Sequence, residues 1–439
     1  MKTYTIREYE SFTRAKENCG SGYYYLKEET FDALKQFILE SKGDGETEGV
    51  ELMSHSSRKG IGEIITAKNY VGVIAMPDGT VIEVLPKIAN STKVEESQKL
   101  LLAMLKTVKD LPFKTFNMAH LNVERIRIFE VFISMFINEV KLLVQKGLKS
   151  DYVLHQDNER FLKGKLLFQN HLKHNLAHKE RFYVEYHLYD INRPENRIIK
   201  TALRYLFRFS NSAKNKKDLH ALLNVFDEVQ GSMNVDADFE KCSNGRDMRA
   251  YEQVLRWCEV FLRGNSFTNS KGDKRATALL FPMEQLFESY VAEHLRKALV
   301  PKNYEVRIQE HKYHLFKDIF RLKPDIVVEN IQNKKIVVLD TKWKVLNGDK
   351  GKNYGISQGD IYQMYAYGKK YDTERVVLLY PMNEMIGKDC KFNFTPSDND
   401  IDKVNVHVRF LDLKDDKFID KVVVDIEKDF SLVEVGCST

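Results

Sequence analysis

Two acids and a lysine within residues 322–344, LKPDIVVENIQNKKIVVLDTKWK, are of the types that hydrolyse phosphodiesters. Asp325 opens one β-branched run, and Asp340 and Lys342 close the next. Residues two apart on a strand point to one face, so Asp340 and Lys342 project together while Leu339, Thr341 and Trp343 go to the other side. A turn in the polar stretch 331–334 centres the hairpin between Gln332 and Asn333, and Asp325 then lies opposite Asp340. Two carboxylates so placed suit Mg²⁺, a hard cation that takes oxygen ligands and fills its octahedron with water and phosphate. Such a metal acidifies a bound water and neutralises charge developing on phosphate, while a nearby ammonium orients the water or steadies the transition state. Asp-x-Lys alone carries little weight, because Asp389-Cys390-Lys391, Asp412-Leu413-Lys414 and Asp415-Asp416-Lys417 have it too. Context separates Asp340: an apolar strand precedes it, and Pro324-Asp325 stands at hairpin distance. The competing reading is an ordinary strand ending in exposed charges.

Two helices are expected to flank this hairpin. In residues 281–295, FPMEQLFESYVAEHL, Glu284 and Glu288 share one helical face, and Leu286, Phe287, Tyr290 and Val291 form the buried stripe. Glu288 would reach the metal or its water. In residues 360–368, DIYQMYAYG, Gln363 follows Asp360 by three residues amid aromatics and would position a water or a phosphate; a surface or capping role competes closely. His171, His174 and His178 fall at helical spacing, but Lys173, Lys179 and Arg181 would repel a cation there.

These side chains need a scaffold, and the chain of 439 residues is long enough for two to four domains. A strand-rich N-terminal region is expected over residues 1–118, with a hairpin in 69–88 around Pro77-Asp78-Gly79 and a helix in 97–108. Residues 119–270 read as mainly helical, opening on the apolar face of Ile126, Phe129, Phe132, Ile133, Phe136, Ile137 and Val140. The polar stretch 264–275, GNSFTNSKGDKR, reads as a linker. Beyond it, residues 276–439 alternate helices and strands and end in a strand-rich tail, so the fold class is multidomain α+β with a C-terminal α/β domain.

Hydrophobic residues at 43% and charged residues at 30% exclude disorder and fit a globular protein with large cores. No run of 18 apolar residues occurs, the N-terminus MKTYTIREYE lacks a signal-peptide core, and the five cysteines form no CxxC pair. A cytoplasmic protein without membrane contact is expected. The charge is uneven: between Lys141 and Asp218 stand 17 Lys or Arg against 8 Asp or Glu, giving +9 where the whole chain is +5. That region suits a polyanion or an acidic partner surface, with a solvated helical face as the alternative.

The set Glu288, Pro324-Asp325, Asp340-Thr341-Lys342 and Gln363 resembles the PD-(D/E)xK nuclease superfamily. More closely, the chain resembles the McrC family, the nuclease subunits of McrBC-type modification-dependent restriction systems. That resemblance rests on residues 70–88 ending Ile82-Glu83-Val84-Leu85-Pro86-Lys87-Ile88, and on Phe161-Leu162-Lys163-Gly164-Lys165. It extends to Asp190 with Asn196-Arg197-Ile198-Ile199-Lys200-Thr201-Ala202-Leu203, and to Leu286-Phe287-Glu288. It implies a restriction-endonuclease-like C-terminal domain, Mg²⁺-dependent cleavage of double-stranded and modified DNA, and assembly on a hexameric McrB-type AAA+ GTPase whose hydrolysis the subunit stimulates.

On that basis Asp325, Asp340, Lys342, Glu288 and Gln363 are the expected catalytic set, with Asp325, Asp340 and Glu288 holding the metal. Lys163, Lys165, Lys173, Lys323 and Lys344 are the expected DNA contacts, and Lys87, Asn196 and Lys200 the partner contacts. The chain has no GxxxxGK[ST] loop, so any nucleotide-driven motion must come from another protein. A non-catalytic adaptor of an AAA+ motor and a stand-alone repair nuclease are the alternatives.

Overall fold

A computed structural model of the chain describes residues 2–20, 22–41, 52–76, 78–87, 93–108, 127–242, 248–263, 277–317, 319–346, 349–383, 391–396, 404–415 and 417–431. The expected linker at 264–275, together with Ile88 and Ile126, lies outside the described residues. Two compact units form, one of residues 129–265 and the other of residues 2–128 with 266–439.

The discontinuous unit shows why the segments flanking the middle region belong together. Strand Thr277–Pro282 pairs antiparallel with Tyr70–Ala75, completing a sheet ordered Thr3–Arg7, Val81–Leu85, Tyr70–Ala75, Thr277–Pro282. Gly72 permits this pairing. Its φ is +137°, and a Cβ there would meet the Leu279 carbonyl oxygen at 1.9 Å, so every larger residue would push the strands apart. Ala278 and Leu280 then enter the same core as Ile6, Phe12, Phe31, Ile74 and Ile82. The three-segment division expected from composition is thus crossed by one sheet, because the chain leaves and returns. The hairpin expected in 69–88 is present, with Tyr70–Ala75 opposite Val81–Leu85.

The later part of this unit is a six-stranded sheet in the order Tyr304–Ile308, Ile326–Asn330, Ile336–Thr341, Arg375–Pro381, Asn405–Leu411, Phe392–Phe394. Ile336–Thr341 and Arg375–Pro381 run parallel, and helix Gln358–Lys370 connects them. The central strands are apolar on both faces, as a covered sheet requires: Val327, Val338, Val376 and Leu378 share a core with Met364 and Tyr367 of that helix. The expected strand-rich tail is only half right, since the chain continues into helix Asp420–Ser431.

The unit 129–265 is mainly helical, as expected, and adds a sheet that the sequence reading did not anticipate. Helices Ile128–Gln145, Pro194–Phe209, Ala213–Val225 and Arg249–Arg263 are joined by a three-stranded sheet in which Asp151–Glu159 and Phe182–Asp190 pair over nine residues. Those strands lack the alternation that burial imposes, and Tyr152, Val153, Leu154, Leu188 and Tyr189 are exposed. The Phe161–Lys165 block has a backbone reason: Gly164 has φ +70°, and a Cβ would meet the Glu185 carbonyl oxygen at 2.2 Å.

Candidate active site

The register Ile326↔Leu339 extrapolates by one residue to Asp325 opposite Asp340, as the centring of the hairpin predicts. Asp340 is almost fully buried, and the Lys342 ammonium lies 2.7 Å from its Oδ2. The two form a buried ion pair at the end of the strand. Asp325 is fixed differently: the Thr341 N–H and the Thr341 hydroxyl both donate to its Oδ2 at 2.7 Å, which leaves Oδ1 available. Strand alternation sends Thr341 away from Asp340, but Asp325 lies just beyond the paired strand, where the hydroxyl meets it.

Burial, then the charge of Asp325, pushes the Asp340 carboxyl up to about 7 against the pull of Lys342. Asp325 is likewise raised by burial, with the Thr341 hydrogen bonds opposing. Glu288, on helix Met283–Leu299, is also pushed up to about 7, first by burial and then by Asp325. A hydrogen bond from Gln309 opposes that shift, and the Gln309 N–H holds the Asp325 carbonyl at 2.8 Å. Burial alone would depress the Lys342 ammonium, but Asp340 and Asp325 carry it above its ordinary value, so it remains protonated.

Gln363 joins this group. Its Oε1 accepts from Lys342 Nζ at 3.3 Å, its Nε2 donates to the Tyr367 hydroxyl at 2.7 Å, and that hydroxyl donates to the Lys323 carbonyl at 2.9 Å. Burial keeps the Tyr367 phenol neutral and able to fill both roles. Lys344 pairs with Asp360 at 3.1 Å, one helical turn before Gln363.

The catalytic set expected from sequence therefore converges, and it carries three helpers, Thr341, Gln309 and Tyr367, that sequence reasoning missed. Among the described residues no three His, Cys, Asp or Glu side chains are already gathered as a cage for an ion. A two-carboxylate set still fits Mg²⁺, which keeps several waters and typically takes one or two protein carboxylates. The burial of Asp340 and its repulsion by the facing Asp325 carboxylate are what a divalent cation would relieve.

Behind the site, Glu8 is fully buried, and its Oε2 accepts from Trp343 Nε1 and from the Lys87 N–H, each at 3.0 Å. Trp343 follows Lys342 and packs its ring against Phe287, beside Glu288, at 5.2 Å between centroids. Lys87 is thus tied through its backbone to the support of the site. Burial raises the Glu8 carboxyl to about 7, against the pull of the Lys87 and Trp343 hydrogen bonds. A carboxyl whose folded pKa is raised costs stability as pH climbs from its unfolded value, near 4, through about 7. Glu8→Gln should flatten that part of the fall in melting temperature between pH 5 and 8. Glu8→Ala should cost roughly 2 to 5 kcal/mol by leaving two buried N–H groups unpaired. Melting curves across pH check both, and a Glu8→Ala protein as stable as wild type would refute the role.

The remaining expected contacts divide by burial. Asn196 and Lys200 point inward: Asn196 binds the Lys149 and Ile191 carbonyls and the Tyr251 hydroxyl, while Lys200 donates to the Asp227 and Val229 carbonyls. They fasten the helical unit instead of presenting a partner surface, because a buried polar group must spend its hydrogen bonds internally. Lys163, Lys165, Lys173, Lys323 and Lys344 are exposed, with Lys163 paired to Glu159 at 2.8 Å. The histidines form no centre: His171 stacks on Phe182, His174 on Tyr183, and His178, beyond the helix Phe168–Asn175, pairs with Glu180.

Among the described residues no helix is long and apolar enough to cross a membrane. No curated protein matches the chain. Among solved structures it is similar to a chain of the refined half-complex from the tetradecameric assembly of Thermococcus gammatolerans McrB AAA+ hexamers with bound McrC. Identity there is 21%, coverage 97% of this chain and 100% of that one, and the TM-score 0.65, a likeness of fold. A chain of the cryo-EM structure of the Thermococcus gammatolerans McrBC complex matches at 22% identity over 70% of this chain and 90% of that one, with a TM-score of 0.47. The family described as McrBC 5-methylcytosine restriction system component matches residues 65–381, a span that holds Glu288, Asp325, Asp340, Lys342 and Gln363, and this chain belongs to that family.

Proposed function

We propose that this chain is the DNA-cleaving subunit of a McrBC-type restriction complex, with a PD-(D/E)xK nuclease domain within residues 276–439 and Mg²⁺ as cofactor. The carrying observation is the convergence of Asp325, Asp340 and Lys342 with Glu288 around one buried, electrostatically strained patch. Asp325 and Asp340 would hold the ion, and Glu288 would act on it through water. Bound there, Mg²⁺ would supply a Lewis acid for the scissile phosphate and a more acidic water.

The chain's own groups perform the rest. Lys342 keeps its proton and lies where positive charge would offset the charge growing on phosphate oxygens. Gln363, braced by Tyr367, fixes the Lys342 amine in that position. Glu288, poised at about 7, can accept a proton from the attacking water at neutral pH. We further propose that the exposed apolar residues Tyr152, Leu154, Phe161, Leu162 and Leu176 serve contact with an McrB-type AAA+ GTPase, since large apolar side chains left in water gain most from such a contact. The exposed lysines at 163, 165 and 173 are proposed as DNA contacts.

The test uses the full chain assembled with an McrB-type AAA+ protein from the same host. Methylated duplex DNA should be cut with GTP and Mg²⁺, left intact with EDTA, and left intact when either protein is omitted. GTP hydrolysis should rise when the chain is added. Cleavage that persists in EDTA would overturn the metal assignment, and a chain that raises hydrolysis but never cuts would make it an adaptor.

A further inference from the structure

Immediately before Asp325 the chain makes a two-stranded hairpin, His314–Phe316 against Ile319–Arg321, which among the described residues belongs to no larger sheet. Its base is nailed to the site. The Leu322 N–H donates to the Tyr313 carbonyl at 2.9 Å, the Tyr313 ring meets Tyr371 edge-on at 4.6 Å, and the Lys323 carbonyl receives the Tyr367 hydroxyl that also braces Gln363. The outer end is apolar and uncovered: Phe316, Ile319 and Phe320 are 60%, 57% and 69% exposed. Phe320 has φ +55°, an unusual backbone for an aromatic residue, and its ring meets Phe316 edge-on at 6.1 Å. An isolated two-stranded ribbon is marginal in water, so three large apolar side chains held at its end need an occupant.

Charge identifies that occupant. Residues 311–323 carry Lys312, Lys317, Arg321 and Lys323 against the single acid Asp318, and all four cations are exposed. Apolar side chains flanked by cations are what proteins use to enter a DNA groove and part a base step, while the cations hold the phosphates on either side. Bending at that step would bring the backbone down onto the residues that follow the hairpin, Asp325 first.

We propose that the side chains of Phe316, Ile319 and Phe320 form a wedge that unstacks duplex DNA next to the phosphodiester presented to Asp325, Asp340 and Lys342. The proposal rests on the nuclease reading above. The test uses the full chain with its AAA+ partner, bound to a methylated, thymine-rich duplex in an Asp340→Asn background that stalls cleavage. Permanganate attacks thymines only where stacking is broken. A cluster of reactive thymines should appear in the bound duplex and disappear in Phe316→Ala/Phe320→Ala, returning in Phe316→Tyr/Phe320→Tyr. In the cleavage-competent background the alanine pair should slow cutting at least ~10-fold, while the Mg²⁺-induced rise in melting temperature and the stimulation of GTP hydrolysis stay at wild-type levels.

Unchanged permanganate reactivity in the alanine pair would overturn the wedge, as would a duplex that is not bound at all. Loss of GTPase stimulation would overturn it in favour of a motor-contact surface. Tip-dependent reactivity in a complex whose wild-type form never cuts would keep the wedge and sink the nuclease reading. Normal cutting through unaltered stacks would do the reverse.

Discussion

Replacing Asp340 by Asn should abolish DNA cleavage and, in the absence of metal, make the protein harder to melt at pH 8. The first effect follows from removing an anionic ligand while keeping size and shape, and a loss of at least ~10³-fold is expected where metal-assisted chemistry depends on that charge. The second follows from the direction of the Asp340 shift. Its carboxyl is raised to about 7 in the folded chain, by burial and by the facing Asp325. Below the unfolded value, near 4, both states hold the proton and nothing is lost. Between about 4 and 7 the folded state binds a proton that the unfolded state has released, so stability falls as pH rises, by up to ~1.4 kcal/mol per pH unit for this group. Above 7 the penalty is complete.

Asparagine does not titrate and escapes that penalty, though it gives up the ion pair with Lys342 at 2.7 Å. The net gain expected without metal at pH 8 is on the order of 1 to 2 kcal/mol. Mg²⁺ should raise the melting temperature of the wild-type chain more at pH 8 than at pH 6, because at the lower pH it must displace a proton. The variant should respond weakly at either. Melting curves with and without Mg²⁺, set beside cleavage assays, decide it. A variant that melts lower than wild type at pH 8 and still gains normally from Mg²⁺ would show that Asp340 is not the strained metal ligand described here.

The hairpin bearing Asp325 and Asp340 was legible because both strands are apolar on both faces and their polar turn is short, so counting residues fixes the register observed, Ile326↔Leu339. Glu288 was legible for a similar reason, since its helix carries a buried stripe at Leu286, Phe287, Val291 and Leu295. Gln309 and Tyr367 were not, because each reaches the site only when distant elements close on one another: Gln309 through its N–H on Asp325, Tyr367 across to Lys323. The strands Asp151–Glu159 and Phe182–Asp190 fell inside the region read as mainly helical because little of either is buried; Val184 is their one core residue, so no period of two shows in the sequence. Asn196 and Lys200 were expected as partner contacts because they stand in a block shared with the family, and nothing in the sequence shows that they are buried. Carbonyls at the ends of neighbouring elements satisfy them inside instead.

A fragment beginning at residue 276, the boundary that composition suggests, should fail to fold on its own. Strand Thr277–Pro282 would lose Tyr70–Ala75, its ladder partner on one side, and expose an unpaired apolar edge. Ala278 and Leu280 would leave a core built largely from residues 6 to 84. The Trp343 N–H would lose Glu8, and the strand end carrying Lys342 would lose the packing behind it. Each fully buried large apolar side chain returned to water costs about 1.5 to 3 kcal/mol. Several of them, with the unpaired strand and indole, consume most of the 5 to 15 kcal/mol that holds a typical domain together.

The complementary experiment expresses residues 1–128 and 266–439 as two separate chains in one cell. Because the two segments share a sheet and a core, they should copurify, melt as one cooperative transition and respond to Mg²⁺ as the intact chain does. Residues 276–439 expressed alone should aggregate or bind a hydrophobic dye without a melting transition. A soluble monomer of 276–439 that melts cooperatively and gains stability from Mg²⁺ would mean that the nuclease core stands by itself, and that the strand Thr277–Pro282 and the Glu8–Trp343 bond are attachments to it instead of parts of it.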